Sequence, residues 1–115
     1  MVKAIYLLKR KPGLSRAEFR EHYEEVYVPL TLSLFPTIRK SVRNYIIPDD
    51  IPTGAAEPDF DCVTEVWFDD MEGFQAMIDA AAGDAGQAVL HCEKVFLDET
   101  ETVYLFVEEV ESEIA

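Results

Sequence analysis

The apolar positions of the chain fall into runs of two different periods, and turn residues mark each change of period. Residues 2–9 are rich in Val, Ile, Tyr and Leu and stop at Lys11, Pro12 and Gly13, which predicts a first strand closed by a tight turn. Ser15 stands three residues before Glu18, and Leu14 five before Phe19, the spacing of a capping box with a hydrophobic staple. From there Phe19, Tyr23, Val26, Leu30 and Leu34 recur at three- and four-residue spacing, with Glu18, Glu21, Glu24 and Glu25 on the other side. The pattern predicts one amphipathic helix that Pro29 bends or breaks and Pro36 ends, because proline has no N–H to donate and crowds the preceding turn.

Ile38, Val42, Tyr45, Ile46 and Ile47 predict a second strand within residues 37–47. Pro48, Pro52, Gly54 and Pro58 then predict an irregular loop of about a dozen residues, which either covers a pocket or is merely tolerated. Residues 60–68 alternate as a third strand, with Phe60, Cys62, Thr64, Val66 and Phe68 on one face and Asp61, Val63, Glu65 and Trp67 on the other. A face left in water rarely carries Val63 and Trp67, so a second subunit is expected to cover it.

Asp69 or Asp70 caps a helix with the stripe Phe74, Met77, Ile78 and Ala81, Gly83 ends it, and Asp84 restarts a short helix carrying Ala88, Val89 and Cys92. Residues 103–107 give a fourth strand. A domain over residues 1–110 is expected, with 111–115 as an acidic tail. The two βαβ-like halves predict an α+β, ferredoxin-like βαββαβ fold: an antiparallel sheet with both helices on one face, and a second copy on the other to make a dimeric α/β barrel.

Composition narrows the partners. Hydrophobic residues at 49% and charged residues at 29% are those of a packed domain. Ten Lys and Arg against 23 Asp and Glu give a net charge of −13, which repels nucleic acid and anionic membrane surfaces alike. A local basic rim at Lys9, Arg10, Lys11, Arg39, Lys40 and Arg43 can still receive an anionic ligand. Cys62 and Cys92 lack the spacing of a zinc site or a disulfide scaffold and read as buried, reduced thiols. With an apolar start too short for a signal segment and no membrane span, a cytoplasmic protein is expected.

The stretch Lys9-Arg10-Lys11-Pro12-Gly13-Leu14-Ser15, then Phe19, Tyr23, the run Val26-Tyr27-Val28-Pro29-Leu30, and finally Glu65-Val66-Trp67-Phe68-Asp69 resemble the EthD family of the dimeric α/β barrel superfamily. The resemblance spans nearly the whole chain and implies the same dimeric barrel. It also implies catabolic ether degradation alongside an oxidoreductase system, or dehydration or decarboxylation of polyketide-like aromatics. Other barrels of the superfamily are isomerases, cofactor-free monooxygenases and haem enzymes. Where the family carries histidines, in the helix before the Pro-Leu pair and in the second strand, this chain has Tyr27 and Tyr45.

Glu65 is the first candidate for chemistry, since alternation places it with Val63 and Trp67 on the expected barrel interior, where desolvation would raise its pKa and suit it to acid–base work. A structural carboxylate bonded across the interface fits the same pattern. Tyr27 and Tyr45 can stabilise an oxyanion or pass a proton, with Tyr23 one turn before Tyr27 as a further pocket residue, although buried phenols commonly serve core packing alone. His22, at the edge of the helical stripe, is either a proton shuttle or structural. Of Arg43 and Asn44 only one can face inward: Arg43 would pair with Glu65 or hold a carboxylate, and Asn44 would orient a carbonyl or phenol.

His91, Cys92 and Glu93 are neighbours on a helix and diverge, so no metal site is expected. No haem-attachment, nucleotide or acyl-transfer motif surrounds the glycines or Ser15 and Ser33, and no cofactor is expected. The resulting expectation is a homodimer that moves protons on a small apolar aromatic, lactone or ether-derived metabolite, as an isomerase, a dehydratase or decarboxylase, or a cofactor-free monooxygenase. The alternative is a non-catalytic ligand-binding or accessory protein of an oxidoreductase system.

Overall fold

The computed structural model describes residues 1–47 and 59–114, so the expected proline-rich loop lies outside the described residues. The chain runs β1 (Val2–Leu8), α1 (Arg16–His22), a π-helical segment (Tyr23–Tyr27), α2 (Val28–Leu34), β2 (Ile38–Tyr45), β3 (Cys62–Phe68), α3 (Met71–Ala81), α4 (Asp84–Phe96) and β4 (Val103–Val107). The sheet has the order β2-β3-β1-β4 with every pair antiparallel, the ferredoxin-like arrangement.

The capping box forms as the spacing requires. Ser15 Oγ accepts from the Glu18 N–H and the Glu18 carboxylate accepts from the Ser15 N–H, both at 3.0 Å. Such a cap contributes about 1 kcal/mol. The single helix expected beyond it is instead three segments: the Val28 N–H bonds to the Tyr23 carbonyl, five residues back, ahead of Pro29 in the first turn of α2. A first-turn position is where a residue without an N–H is tolerated, so the ladder widens before the proline rather than breaking at it.

The helix expected to be short after Asp84 runs for 13 residues to Phe96. Asp70 caps α3 through the Gly73 N–H at 2.8 Å, but Ala82 ends that helix and Gly83 opens the next. Gly86 lets the two helices approach, since a Cβ there would lie 1.6 Å from the Ala81 carbonyl oxygen.

Alternation along β3 holds. Cys62, Thr64, Val66 and Phe68 are buried under the helices, packed in two clusters, one around Phe19, Tyr23 and Phe96 and one around Phe35, Met77 and Val89. The register places Lys3, Ile5 and Leu7 of β1, Val42 and Asn44 of β2, Val63, Glu65 and Trp67 of β3, and Val103, Leu105 and Val107 of β4 on the helix-free face. Trp67 is only 8% exposed there without a second subunit. The Lys3 and Lys40 ammonium groups each sit 4.7 Å from its ring centroid, and its Nε1 donates to Glu109 at 3.2 Å. The apolar surface left exposed on this face is therefore the aliphatic row along β1 and β4, at Val103 and Leu105.

Candidate functional site

A cavity of about 490 Å³ lies on the helix side of the sheet, between β1 and β4 below and α3 and α4 above. Its walls follow from the helical stripes: Phe74, Met77 and Ile78 of α3 and Val89, Leu90 and Glu93 of α4 face strand residues Ala4, Tyr6, Tyr104 and Phe106. Small Ala4 leaves room on the strand floor, and Tyr27 also lines the cavity. The aromatic contacts are specific. Tyr6 and Tyr104 meet edge to face with centroids 5.1 Å apart, and Phe74 and Phe106 lie 4.6 Å apart.

One carboxyl group faces this apolar space. The Tyr27 hydroxyl donates to Glu93 Oε1 at 2.8 Å, and Tyr104 also interacts with that carboxyl. Burial holds the Glu93 carboxyl above the usual carboxylate range, while the hydrogen bond from Tyr27 pulls the other way and the charge of Glu99 adds to the rise. Burial and the Glu93 charge push the Tyr27 and Tyr104 phenols well up, and they push Tyr6 up to about 12. The three hydroxyls are therefore neutral donors at physiological pH, around an acid whose proton affinity is raised toward neutrality.

Of the site residues expected from the sequence, Tyr27 alone lines this cavity. Glu65 lies on the opposite face of the sheet, 2.5 Å from Lys3 Nζ and accepting from Asn44 Nδ2 at 2.9 Å. Its pKa is lowered, first by the hydrogen bond from Lys3 and then by that from Asn44, which reverses the expected rise: its partners outweigh its desolvation. Asn44 faces Glu65, and Arg43 points to the helix side, where its Nε and Nη2 grip the Glu24 carboxylate at 2.9 and 2.8 Å. The expected pairing of Arg43 with Glu65 is replaced by this fork, because the two side chains lie on opposite faces.

Tyr45 donates to the same Glu24 and stacks under Arg20, away from the cavity. Tyr23 is 1% exposed in the core and bonds to Thr64. His22 Nε2 lies 3.5 Å from Cys92 Sγ, with its ring against Phe96. Val63 and Trp67 share the Glu65 face. Cys62 and Cys92 are buried free thiols, and burial pushes Cys62 up to about 11.

The EthD domain family matches residues 11–100. The chain belongs to the EthD family. Among solved structures, an EthD-family protein from Bacillus halodurans is similar at 24% identity, with a TM-score of 0.68 over 96% of this chain and 100% of that one. A dimeric ferredoxin-like protein from Thermobifida fusca is similar at 14% identity and a TM-score of 0.61, over 92% of this chain and 88% of that one. SnoaB, a cofactor-independent oxygenase from Streptomyces nogalater, gives 10% identity and a TM-score of 0.63, over 96% and 94%. At these identities the likenesses establish the fold. No curated protein matches the sequence.

Within this EthD-family chain the residue that sequence reading passed over is Glu93. The telling signal was its helical position, four residues after Val89 and three before Phe96, which puts an acid on a buried apolar stripe. Among the described residues no helix is long and apolar enough to cross a membrane.

Proposed function

We propose that this EthD-family protein holds a small apolar metabolite in the cavity and transfers a proton to or from it through Glu93, with Tyr27 and Tyr104 orienting the carboxyl group and no cofactor taking part. The observation that carries the reading is the Tyr27–Glu93 hydrogen bond, 2.8 Å long, between two residues that line a mainly apolar cavity. A carboxyl group whose proton affinity is raised by desolvation can give up and take back a proton in the two halves of an acid–base cycle. Aromatic walls favour an aromatic, lactone or ether-derived molecule, and isomerisation or dehydration are the reactions that one acid–base group serves most directly. The similarity to a cofactor-independent oxygenase is compatible with chemistry driven by proton removal.

The protein is further proposed to act as a homodimer, joined through the aliphatic row of the helix-free sheet face. The exposed Val103 and Leu105, and the dimeric state in the name of the Thermobifida fusca protein, support this. The aromatic walls also suit simple retention of a ligand, so an accessory role for an oxidoreductase system is the second reading.

Hydrogen–deuterium exchange at the activated methylene of 2-tetralone, followed by NMR in D2O, tests proton transfer without knowledge of the substrate. The protein should accelerate exchange, and Glu93→Gln should lower the rate about 100-fold. Exchange no faster than in carboxylate buffer, or equally fast in Glu93→Gln, overturns the catalytic reading. Binding of 2-tetralone without exchange identifies the accessory role.

A further inference from the structure

The sequence contains five tyrosines, and four of their hydroxyls engage an oxygen-bearing side chain: Tyr23 with Thr64, Tyr27 and Tyr104 with Glu93, and Tyr45 with Glu24. Tyr6 is the exception among the described residues. Its hydroxyl bonds to the Met77 thioether at 3.9 Å. A thioether is a weak acceptor, and a phenol held in an apolar interior normally finds a stronger one. Tyr6 and Met77 both line the cavity, so the hydroxyl is held beside the space a ligand would fill, with a partner that a better acceptor displaces at little loss.

The surroundings define that acceptor. Tyr6 stays a neutral donor because burial and the nearby Glu93 charge raise its pKa. No Lys or Arg stands among the cavity-lining residues, and Glu93 supplies the local acidity. A carboxylate or phosphate on the ligand would find no countercharge there and would lose its hydration. A carbonyl or ether oxygen, uncharged and needing one donor, meets neither obstacle.

We propose that the Tyr6 hydroxyl anchors a carbonyl or ether oxygen of the bound molecule, making Tyr6 the residue by which this cavity prefers a neutral oxygen-bearing ligand over the corresponding hydrocarbon. The inference rests on the proposed ligand-holding role of the cavity and adds the chemistry by which it selects. On binding, the hydroxyl turns from the Met77 sulfur to the ligand oxygen. No covalent bond changes in this step.

Equilibrium binding of 2-tetralone and of tetralin, the same bicycle without the carbonyl, separates the possibilities. The unaltered protein should bind the ketone about tenfold more tightly than the hydrocarbon, the value of one good neutral hydrogen bond. Tyr6→Phe should erase the preference while leaving tetralin affinity and the melting temperature close to their original values, because the ring stays and only a weakly satisfied hydroxyl is lost. Met77→Leu, which removes the competing sulfur, should keep the preference or enlarge it. Equal affinity for the two ligands in the unaltered protein, a preference that survives Tyr6→Phe, or its loss in Met77→Leu overturns the Tyr6 assignment. Failure of both ligands to bind overturns the ligand-holding role itself, and the Tyr6 assignment with it.

Discussion

The Tyr27 hydroxyl and Glu93 Oε1 meet at 2.8 Å, which joins the π-helical segment Tyr23–Tyr27 to the apolar stripe of α4 where both line the cavity. The bond depends on an irregularity. Each residue of an α-helix advances by about 100°, and the wider turn ahead of Pro29 resets the direction in which Tyr27 points. Local backbone geometry, packing and a raised proton affinity thus converge on one carboxyl group.

That convergence sets the pH dependence of folding. Glu93 holds its proton more tightly in the folded chain than in the unfolded one. Between the ordinary carboxylate range and the raised folded value, the folded state therefore binds more protons, and stability falls as pH rises through that window and stays lower above it. Glu93→Gln keeps the shape and an oxygen for Tyr27 but carries no ionisation. The melting temperature of Glu93→Gln minus that of the unaltered protein should grow more positive from pH 4 to pH 7.5. A difference that is flat or shrinks contradicts the assignment.

Tyr27→Phe acts on the same group from its partner. The Tyr27 hydroxyl opposes the effect of burial, so removing it should move the Glu93 pKa further up. The side-chain carboxyl carbon of Glu93, followed by NMR through a pH titration, reads this directly. Loss of a hydrogen bond to a partly buried acid should also cost about 1–2 kcal/mol of stability at neutral pH. A downward pKa displacement would mean that Tyr27 is not the controlling donor.

The sequence already showed the strands, the capping box and the two-faced third strand, because each rests on nearest-neighbour patterning: Ser15 with Glu18, or the alternation from Cys62 to Phe68. The site was only partly legible. Tyr27 emerged from the helical stripe, but its partner Glu93 is 66 residues away and meets it only when α4 packs beside the π-helical segment. Glu65 showed the converse. Alternation gave its face correctly, while Lys3, 62 residues earlier but held through the pairing of Ile5 with Glu65 and of Lys3 with Trp67, is what lowers its pKa most. A residue's period reveals its face; the partners on that face come from topology.

The helix-free face carries its own prediction. Val63 lies on that face near one end of β3, opposite Leu7 on one side and Asn44 on the other. Light scattering of the unaltered protein at micromolar concentration should give twice the 13.1 kDa of one chain, and Val63→Glu should shift it to the single mass with its circular dichroism preserved. A monomer before substitution would show that the aliphatic row is tolerated in water.

Glu65 supplies the sharpest contrast with Glu93, since the two carboxyl groups lie on opposite faces of one sheet with opposite displacements of pKa. Lys3 holds Glu65 and Glu109 together, with Glu109 bonded at 2.7 Å, and this cluster sits against Trp67 rather than against the cavity. A carboxylate whose folded pKa is lowered adds stability that is present above the ordinary carboxylate range and is lost as pH falls through the folded value. Glu65→Gln should therefore narrow the gap between melting temperatures at pH 7 and pH 3, the reverse of the effect expected at Glu93. Because Glu65 lies on the opposite face of the sheet from the cavity, the same variant should leave 2-tetralone exchange within about twofold of the unaltered rate, against about 100-fold for Glu93→Gln. A large loss of exchange in Glu65→Gln would move the proton-transfer site from the cavity to the helix-free face.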